Sequence, residues 1–301
     1  MADCGSTVEK ASIVSTTTMD EPINQTQKRV ANKAESLRSP TKKIRLELPN
    51  CSQNATNGKE KKNEAKYIYG NYNRYYGYRC GKKTEDIRLD AFRNYSELFD
   101  NKEILDIGCN DGTVTIAIAK RFPVKFITGF DIDQHLISMA RKHITNETQE
   151  MINNNDEEIL AESKFPANIA FKCCNYVLSD DRLLELEEAN FDTILCLSVT
   201  KWIHLNFGDD GLKRSFKRMF RQLKPGGTLI LEAQNWKGYK RRKKVTTEIQ
   251  TNYSQIKFFP NQFNEYLLSA DVGFAGVSNI ELPKEHSANG FKRPIFVFKK
   301  Q

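Results

Sequence analysis

Glu103-Ile104-Leu105-Asp106-Ile107-Gly108-Cys109-Asn110-Asp111-Gly112 decides the fold. It reads as an apolar strand that runs into a glycine-bearing turn. A short helix follows over Thr113 to Arg121 and stops at Pro123. Glycine after a first strand lets a ligand come close to the backbone. The third glycine of the dinucleotide fingerprint is missing, and no G-K-[ST] phosphate loop is present. Lys125 to Asp131 reads as a second strand and ends in Asp131-Ile132-Asp133. An acid about twenty residues past the turn can accept hydrogen bonds from ribose hydroxyls. The pair points to a nucleoside-containing cofactor. Asn110 and the missing glycine favour S-adenosylmethionine over a nicotinamide.

Strands and helices continue to alternate beyond this unit. Gln134 to Ile144 is helical by the spacing of Leu136, Ile137, Ala140 and Ile144. Residues 145–166 are acidic and Asn-rich and read as an inserted surface loop. Asn168 to Cys173 is a third strand. Asn175-Tyr176 then stands where such a fold reaches an adenine, or where Asn simply makes an Asx turn. Phe191 to Leu197 is a fourth strand. Asp210 to Leu223 is an amphipathic helix, ended by Pro225-Gly226-Gly227, and Thr228 to Glu232 is a fifth strand. A helix near Pro260 to Ser269 precedes two late strands, Val277 to Leu282 and Pro294 to Phe298. This order predicts an α/β fold, a mostly parallel seven-stranded sheet with a terminal antiparallel hairpin.

The first 66 residues hold no Phe, Trp or Tyr and read as a disordered tail. Composition changes at Tyr67, where six tyrosines occur in thirteen residues, and residues 67–301 form the predicted domain. The net charge of +8 favours an acidic partner, nucleic acid above all. Seven cysteines without a C-x-x-C pair imply a reducing compartment and no structural metal. No apolar run suits a membrane span or a secretion signal. Lys42-Lys43-Ile44-Arg45 reads either as a nuclear address or as a solvated charge cluster.

One strand end is unusually polar. Leu197-Ser198-Val199-Thr200-Lys201-Trp202-Ile203-His204-Leu205 delivers a Lys, a Trp and a His where an open α/β sheet binds ligands. Trp202 either stacks on a base or packs; His204 either meets RNA or shapes the loop, with the structural role carrying more weight. After the fifth strand comes a basic loop, Lys237-Gly238-Tyr239-Lys240-Arg241-Arg242-Lys243-Lys244. Its place beside the site suggests salt-dependent RNA affinity. A second basic cluster, Lys213, Arg214, Lys217, Arg218 and Arg221, reads equally well as a solvated helix face.

These residues carry a family resemblance. From Tyr69 to Phe298 the chain resembles the bicoid-interacting-protein family of RNA methyltransferases. The motifs are Tyr69-Gly70-Asn71-Tyr72, Tyr75-Tyr76-Gly77-Tyr78-Arg79, Glu85-Asp86-Ile87-Arg88, Asp106-Ile107-Gly108-Cys109-Asn110, Asp131-Ile132-Asp133, Asn175-Tyr176-Val177-Leu178, Leu197 to Asn206 and Lys224-Pro225-Gly226-Gly227. The resemblance implies a class I, Rossmann-like methyltransferase that uses S-adenosylmethionine. It implies that Tyr76, Arg88, Gly108, Cys109, Asn110, Asp131, Ile132, Asn175, Tyr176 and Leu197 hold the cofactor. Tyr75, Arg79 and Lys201 would meet the γ-phosphate at the 5′ end of a small nuclear RNA of the 7SK type, and methylation there would make a monomethylphosphate cap. Trp202, His204, Lys240, Arg241, Arg242, Lys243 and Lys244 are the further candidates for RNA contact. A nuclear, monomeric enzyme is expected, with a La-related protein of the same ribonucleoprotein as candidate partner. Two departures stand out: Glu232-Ala233-Gln234 replaces the usual Glu-Pro-Gln, and Cys174 replaces a usual Gly.

A terminal phosphate is largely dianionic at neutral pH, its second pKa being about 6, so it needs orienting cations rather than a base. Arg grips two oxygens at once, whereas Lys acts as a point charge. Three rival readings remain at this level: a methylase of 5′-monophosphate ends, a non-catalytic scaffold of a small nuclear ribonucleoprotein, and a small-molecule or protein methyltransferase. Lys201, absent from the monophosphate branch on this reading of the resemblance, favours a triphosphate end.

Overall fold

The structure is a computed structural model and describes residues 67–73, 75–76, 85–154, 164–282 and 293–301. All of them belong to one unit, Lys62–Gln301. The N-terminal segment expected to be disordered, the predicted nuclear address and Arg79 lie outside the described residues.

Seven strands form one sheet: β1 (Glu103–Ile107), β2 (Phe126–Asp131), β3 (Ile169–Cys173), β4 (Phe191–Leu197), β5 (Leu223–Glu232), β6 (Gly276–Ile280) and β7 (Ile295–Lys299). Their order is β3-β2-β1-β4-β5-β7-β6. The first five are parallel, and β7 runs antiparallel to both β5 and β6. The late hairpin is therefore present, but its second strand slots between β5 and β6. Central strands are buried on both faces, which is why they read as continuous apolar runs. Ile104, Leu105, Ile194, Leu195, Cys196, Leu229, Ile230 and Leu231 are all essentially inaccessible.

Helices cover both faces. They are α1 (Ile87–Phe92), α2 (Thr113–Arg121), α3 (Gln134–Asn153), α4 (Thr200–Gln222), α5 (Trp236–Lys240), α6 (Thr247–Gln255) and α7 (Phe263–Leu268). On one face Phe92, Phe99 and Phe122 pack with Ile118, Ile137 and Ala140. On the other, Leu212, Phe216 and Met219 of α4 pack with Phe263 and Leu267 of α7 and with Phe298 of β7.

Three expectations need correction. The predicted loop over 145–166 begins as helix, because α3 continues to Asn153. Met151 is its buried anchor, and Lys120 of α2 pairs with Glu147 at 2.5 Å. Acidic and Asn-rich composition hid a helical apolar face that continues past Ile144. Residues 155–163 lie outside the described set. The polar stretch after β4 is helix as well: α4 starts at Thr200 and bends at Gly208, whose φ is +66°. Gly208 leaves helical geometry and separates a first helical segment, hidden by its polar composition, from the predicted helix over Asp210 to Leu223. The basic stretch is helical to Lys240, N-capped by Asn235, and passes through turns into α6, which Thr246 caps.

Phe216 is fully buried, with the rings of Phe263 at 5.4 Å and Phe258 at 6.4 Å. Phe216→Ala is expected to cost ~3–5 kcal/mol of stability. Guanidinium denaturation measures it; a loss below about 1 kcal/mol would mean that α4 does not form this core.

Candidate active site

The carboxyl ends of the parallel strands open into a cleft of about 480 Å³, mouth included. β1 ends on Gly108, β2 on Asp131-Ile132, and the chain after β3 brings Cys174, Asn175 and Tyr176. Val199, Trp202, Ile203 and Phe207 close the β4 side, and Tyr69 the top. Gly108 has φ +74°, and a Cβ there would sit 2.7 Å from Val199 Cγ2. Backbone conformation and close approach thus both demand glycine.

The segment 67–73 is strapped across this opening. Asn71 Nδ2 donates to Asp133, Asn110 Nδ2 to the Tyr72 carbonyl at 3.3 Å, and Asn206 Nδ2 to the Ile68 carbonyl at 2.9 Å. Gly70 lies flat against the Trp202 indole, where a Cβ would come within 2.1 Å of Nε1.

The donor set suits S-adenosylmethionine. Asp131, half-buried at the end of β2, accepts from the backbone N–H of Asn110 and of Asp133, both at 2.9 Å. A carboxylate has about four acceptor positions, and the backbone of Ile132 also bonds to this one, so about one remains for a ribose hydroxyl. Burial pushes its pKa up against those backbone hydrogen bonds. Asn110, at φ +55°, keeps a buried Oδ1 with no hydrogen-bond partner among the described residues. Such an orphaned acceptor belongs beside a ligand donor. Apolar walls from Phe130, Ile132, Val177, Ile203 and Phe207 fit a flat base. Asn175 Oδ1 accepts from Val177 N in an Asx turn at 3.0 Å, which leaves its Nδ2 as the available group.

Gly108, Asp131, Ile132, Asn175 and Tyr176 therefore line the cleft, whereas Tyr76, Arg88, Cys109, Asn110 and Leu197 are not among its lining residues. The Tyr176 hydroxyl is turned away, donating to Gln222 Oε1 at 2.9 Å. Cys109 and Leu197 are packed into the core, and burial pushes the Cys109 thiol up. Tyr76 packs against the same core, with Tyr75 edge-on at 5.2 Å. Arg88 is 1% exposed. It is bonded to Asp86 through Nε at 2.9 Å and Nη2 at 2.8 Å, and to Glu232 through Nη1 at 2.9 Å.

Lys201 stands at the rim in the first turn of α4, its Nζ 4.4 Å from the centre of the Trp202 ring. Among the described residues no carboxylate pairs with it. Burial, then Arg293, Arg242 and Arg241, push its pKa down to about 7. Gln234 holds its backbone by accepting from Lys201 N at 3.1 Å and from Thr200 Oγ1 at 3.1 Å, while its amide donates to the Ser198 carbonyl.

His204 takes the structural role that carried more weight, and its place among the candidates for RNA contact falls. It is 0% exposed, so it has no surface to offer RNA. Its Nε2 lies 2.6 Å from Asp209 Oδ1 and its Nδ1 3.3 Å from the Tyr239 hydroxyl. Burial lowers its pKa, opposed by Asp209. Asp209 Oδ2 also accepts from Lys257 N and Phe258 N, so this knot joins the two halves of bent α4 to α5 and to the turn after α6. Trp202, 7% exposed, is likewise corrected: between Gly70, an edge-on Tyr72 and Lys201 it is a wall, not an open stacking platform. Lys240, Arg241, Arg242 and Lys244 are exposed, and Arg242 lies 5.3 Å over Tyr72. In the second basic cluster, Arg214 pairs with Asp181 and Arg218 with Glu187. Sequence reasoning passed over Tyr69, Ile203, Phe207, Gln234 and Arg293; the polar end of β5, Glu232-Ala233-Gln234, was the available signal for Gln234.

Sheet order, reversed β7 and a nucleoside cleft at the strand ends define a class I methyltransferase with S-adenosylmethionine as methyl donor. Residues 105–231 match a methyltransferase domain, and residues 191–300 match Bicoid-interacting protein 3 (Bin3). The chain is 48% identical over 264 residues to the U6 snRNA methylphosphate capping enzyme Amus of Drosophila melanogaster, covering 87% of this chain and 81% of that one. It is 37% identical to the 7SK snRNA methylphosphate capping enzyme of Homo sapiens, covering 80% of this chain but only 40% of that longer one. Similarity to the pre-miRNA 5′-monophosphate methyltransferase of Xenopus laevis is lower, 28% over 57% of this chain and 68% of that one. The chain belongs to the Bin3 family.

A Lys held near pKa 7 when folded and near 10.5 when unfolded penalises the folded state fully below pH 7. The penalty fades as pH rises toward 10.5. Lys201→Met is therefore expected to raise the melting temperature at pH 6–7, with the gain shrinking at pH 9–10. A loss of stability at neutral pH, measured by calorimetry, would contradict the burial of an unpaired cation here.

Proposed function

We propose that this chain transfers a methyl group from S-adenosylmethionine to the 5′-terminal γ-phosphate of a small nuclear RNA. The observation that carries it is Lys201: a half-buried cation stacked 4.4 Å from the ring of Trp202, itself a wall of the nucleoside cleft, without a carboxylate partner among the described residues and acted on by the charges of Arg293, Arg242 and Arg241. Such a hole suits a multiply charged anion better than a neutral acceptor or a protein side chain. The methylphosphate capping enzymes among the relatives support the same substrate class.

When bound, the cofactor supplies an electrophilic methyl on a sulfonium; the chain supplies position and charge. Asp131 and Asn175 fix the nucleoside end. Arg88, braced by Asp86 and Glu232, keeps further guanidinium N–H groups for a carboxylate. Lys201 orients a phosphate oxygen for in-line approach, with Tyr75 and Arg79 as partners in that role. No side chain has to take a proton, because the attacking phosphate oxygen is already ionised at neutral pH. Phosphate binding raises the Lys201 pKa again, so Lys201 is charged when it is used. Lys240, Arg241, Arg242, Lys243 and Lys244 give the following nucleotides a sequence-independent hold. The enzyme works in the nucleus on this reading, and a La-related protein is the candidate assembly partner.

Labelled S-adenosylmethionine and one RNA with triphosphate, monophosphate or hydroxyl 5′ ends test the reading. Label is expected on the triphosphate RNA, and label confined to the monophosphate RNA refutes the choice. Lys201→Ala should abolish transfer and leave cofactor affinity nearly intact. Neutralising 240–244 should weaken RNA binding and flatten its dependence on salt; an unchanged slope removes that segment from the interface.

A further inference from the structure

Because β7 is antiparallel, its first residues arrive at the carboxyl ends of β4 and β5, the edge where the cleft opens. Leu231 pairs with Phe296, which carries Arg293 past the end of β5. There its Nη1 donates to Ser198 Oγ at 2.8 Å and approaches Glu232 Oε1 at 3.2 Å. Ser198 is three positions before Lys201, on the same turn out of β4. The Arg293 side chain is 16% exposed, whereas Glu232 is wholly buried and also bound by Arg88 on its other oxygen. Two carboxylates, Asp86 and Glu232, thus balance two guanidiniums, Arg88 and Arg293. That balance fixes Arg293 in place, and among the described residues no carboxylate pairs with Lys201, Arg241 or Arg242. Arg293 also exerts the largest charge effect on Lys201, ahead of Arg242 and Arg241.

We infer that Arg293 is a second phosphate-reading residue: it grips a non-reacting phosphate of the 5′ triphosphate while Lys201 holds the terminal one. The inference rests on the triphosphate reading above. The hydrogen bond to Ser198 and the ion pair with Glu232 hold the guanidinium at the turn that leads into Lys201, and an Arg fork is suited to bridging oxygens of a polyphosphate. A monophosphate end offers only one group, which Lys201 can hold alone. Arg293 is then what makes a longer phosphate chain bind better than a short one. Nothing in its neighbourhood in the sequence announced this, since Lys292-Arg293-Pro294 reads as an ordinary strand start.

The test measures affinity for one RNA sequence carrying a 5′ triphosphate, diphosphate or monophosphate, by fluorescence anisotropy, with wild type, Arg293→Gln and Arg293→Lys. S-adenosylhomocysteine affinity and melting temperature are read in parallel. Arg293→Gln should weaken triphosphate RNA by roughly ten- to a hundredfold, the worth of a charged hydrogen-bonded contact, and monophosphate RNA by little. Cofactor affinity should stay near wild type. Arg293→Lys should fall between wild type and Gln on triphosphate RNA alone, and it carries the test if the Gln variant does not fold. An equal loss on all three ends, or a loss centred on cofactor affinity, overturns the inference and makes Arg293 a brace for Glu232. A wild type that does not prefer the triphosphate end overturns the triphosphate reading itself, a result visible before any variant is made.

Discussion

The buried carboxylate of Glu232 is the point on which the catalytic edge depends. It takes Ser198 Oγ at 2.7 Å and Arg293 on one oxygen and Arg88 on the other, and its own backbone carbonyl accepts from Ser198 N. Four chain segments meet there: α1, the end of β4, the end of β5 and the approach to β7. An ion taken out of water costs several kcal/mol unless its partners are well placed. The ends of these strands are therefore not free to shift singly, because any one movement exposes the cost for all. Lys201 inherits its position from this lock through Ser198 and Gln234.

The same edge contains a deliberate imbalance. Where Glu232 and Arg88 are fully compensated, Lys201 is desolvated beside the Trp202 ring, and the charges acting on it among the described residues are those of Arg293, Arg242 and Arg241. Burial of that cation costs stability. The two neighbouring patches differ in kind: the Asp86, Arg88 and Glu232 network holds the frame, and Lys201 beside it has no carboxylate partner among the described residues.

Much of this was legible in the residues. β1 to β4 fall close to their predicted bounds because central parallel strands are apolar on both faces and short; β5 starts at Leu223, five residues before the predicted Thr228, because Pro225-Gly226-Gly227 reads as a turn but lies within the strand. Asp131 and Gly108 were legible too, since their roles follow from position at a strand end. What was hidden has physical reasons. Gly208 punctuates a bent helix and reads as a stop. The acidic run after Ile144 carries a single buried Met151 that keeps it helical, too sparse a signal for periodicity. His204 looks like a catalytic residue by type, yet its environment of Phe258, Phe263 and Tyr239 makes it a fastener, and no local pattern reveals which residues surround it. Arg293 matters only because β7 is reversed and inserted, a long-range fact.

The strap over the cleft has a consequence of its own. Two of its fastenings, from Asn110 and Asn206, grip main-chain carbonyls of Tyr72 and Ile68 rather than side chains. Side chains add to this hold: Ile68 and Tyr72 pack against the cluster of Trp202, Leu205 and Tyr239, and Asn71 donates to Asp133. Tyr69 lines the cleft and takes no part in these fastenings, so the roof over a ligand can be altered at that position while the cover stays attached.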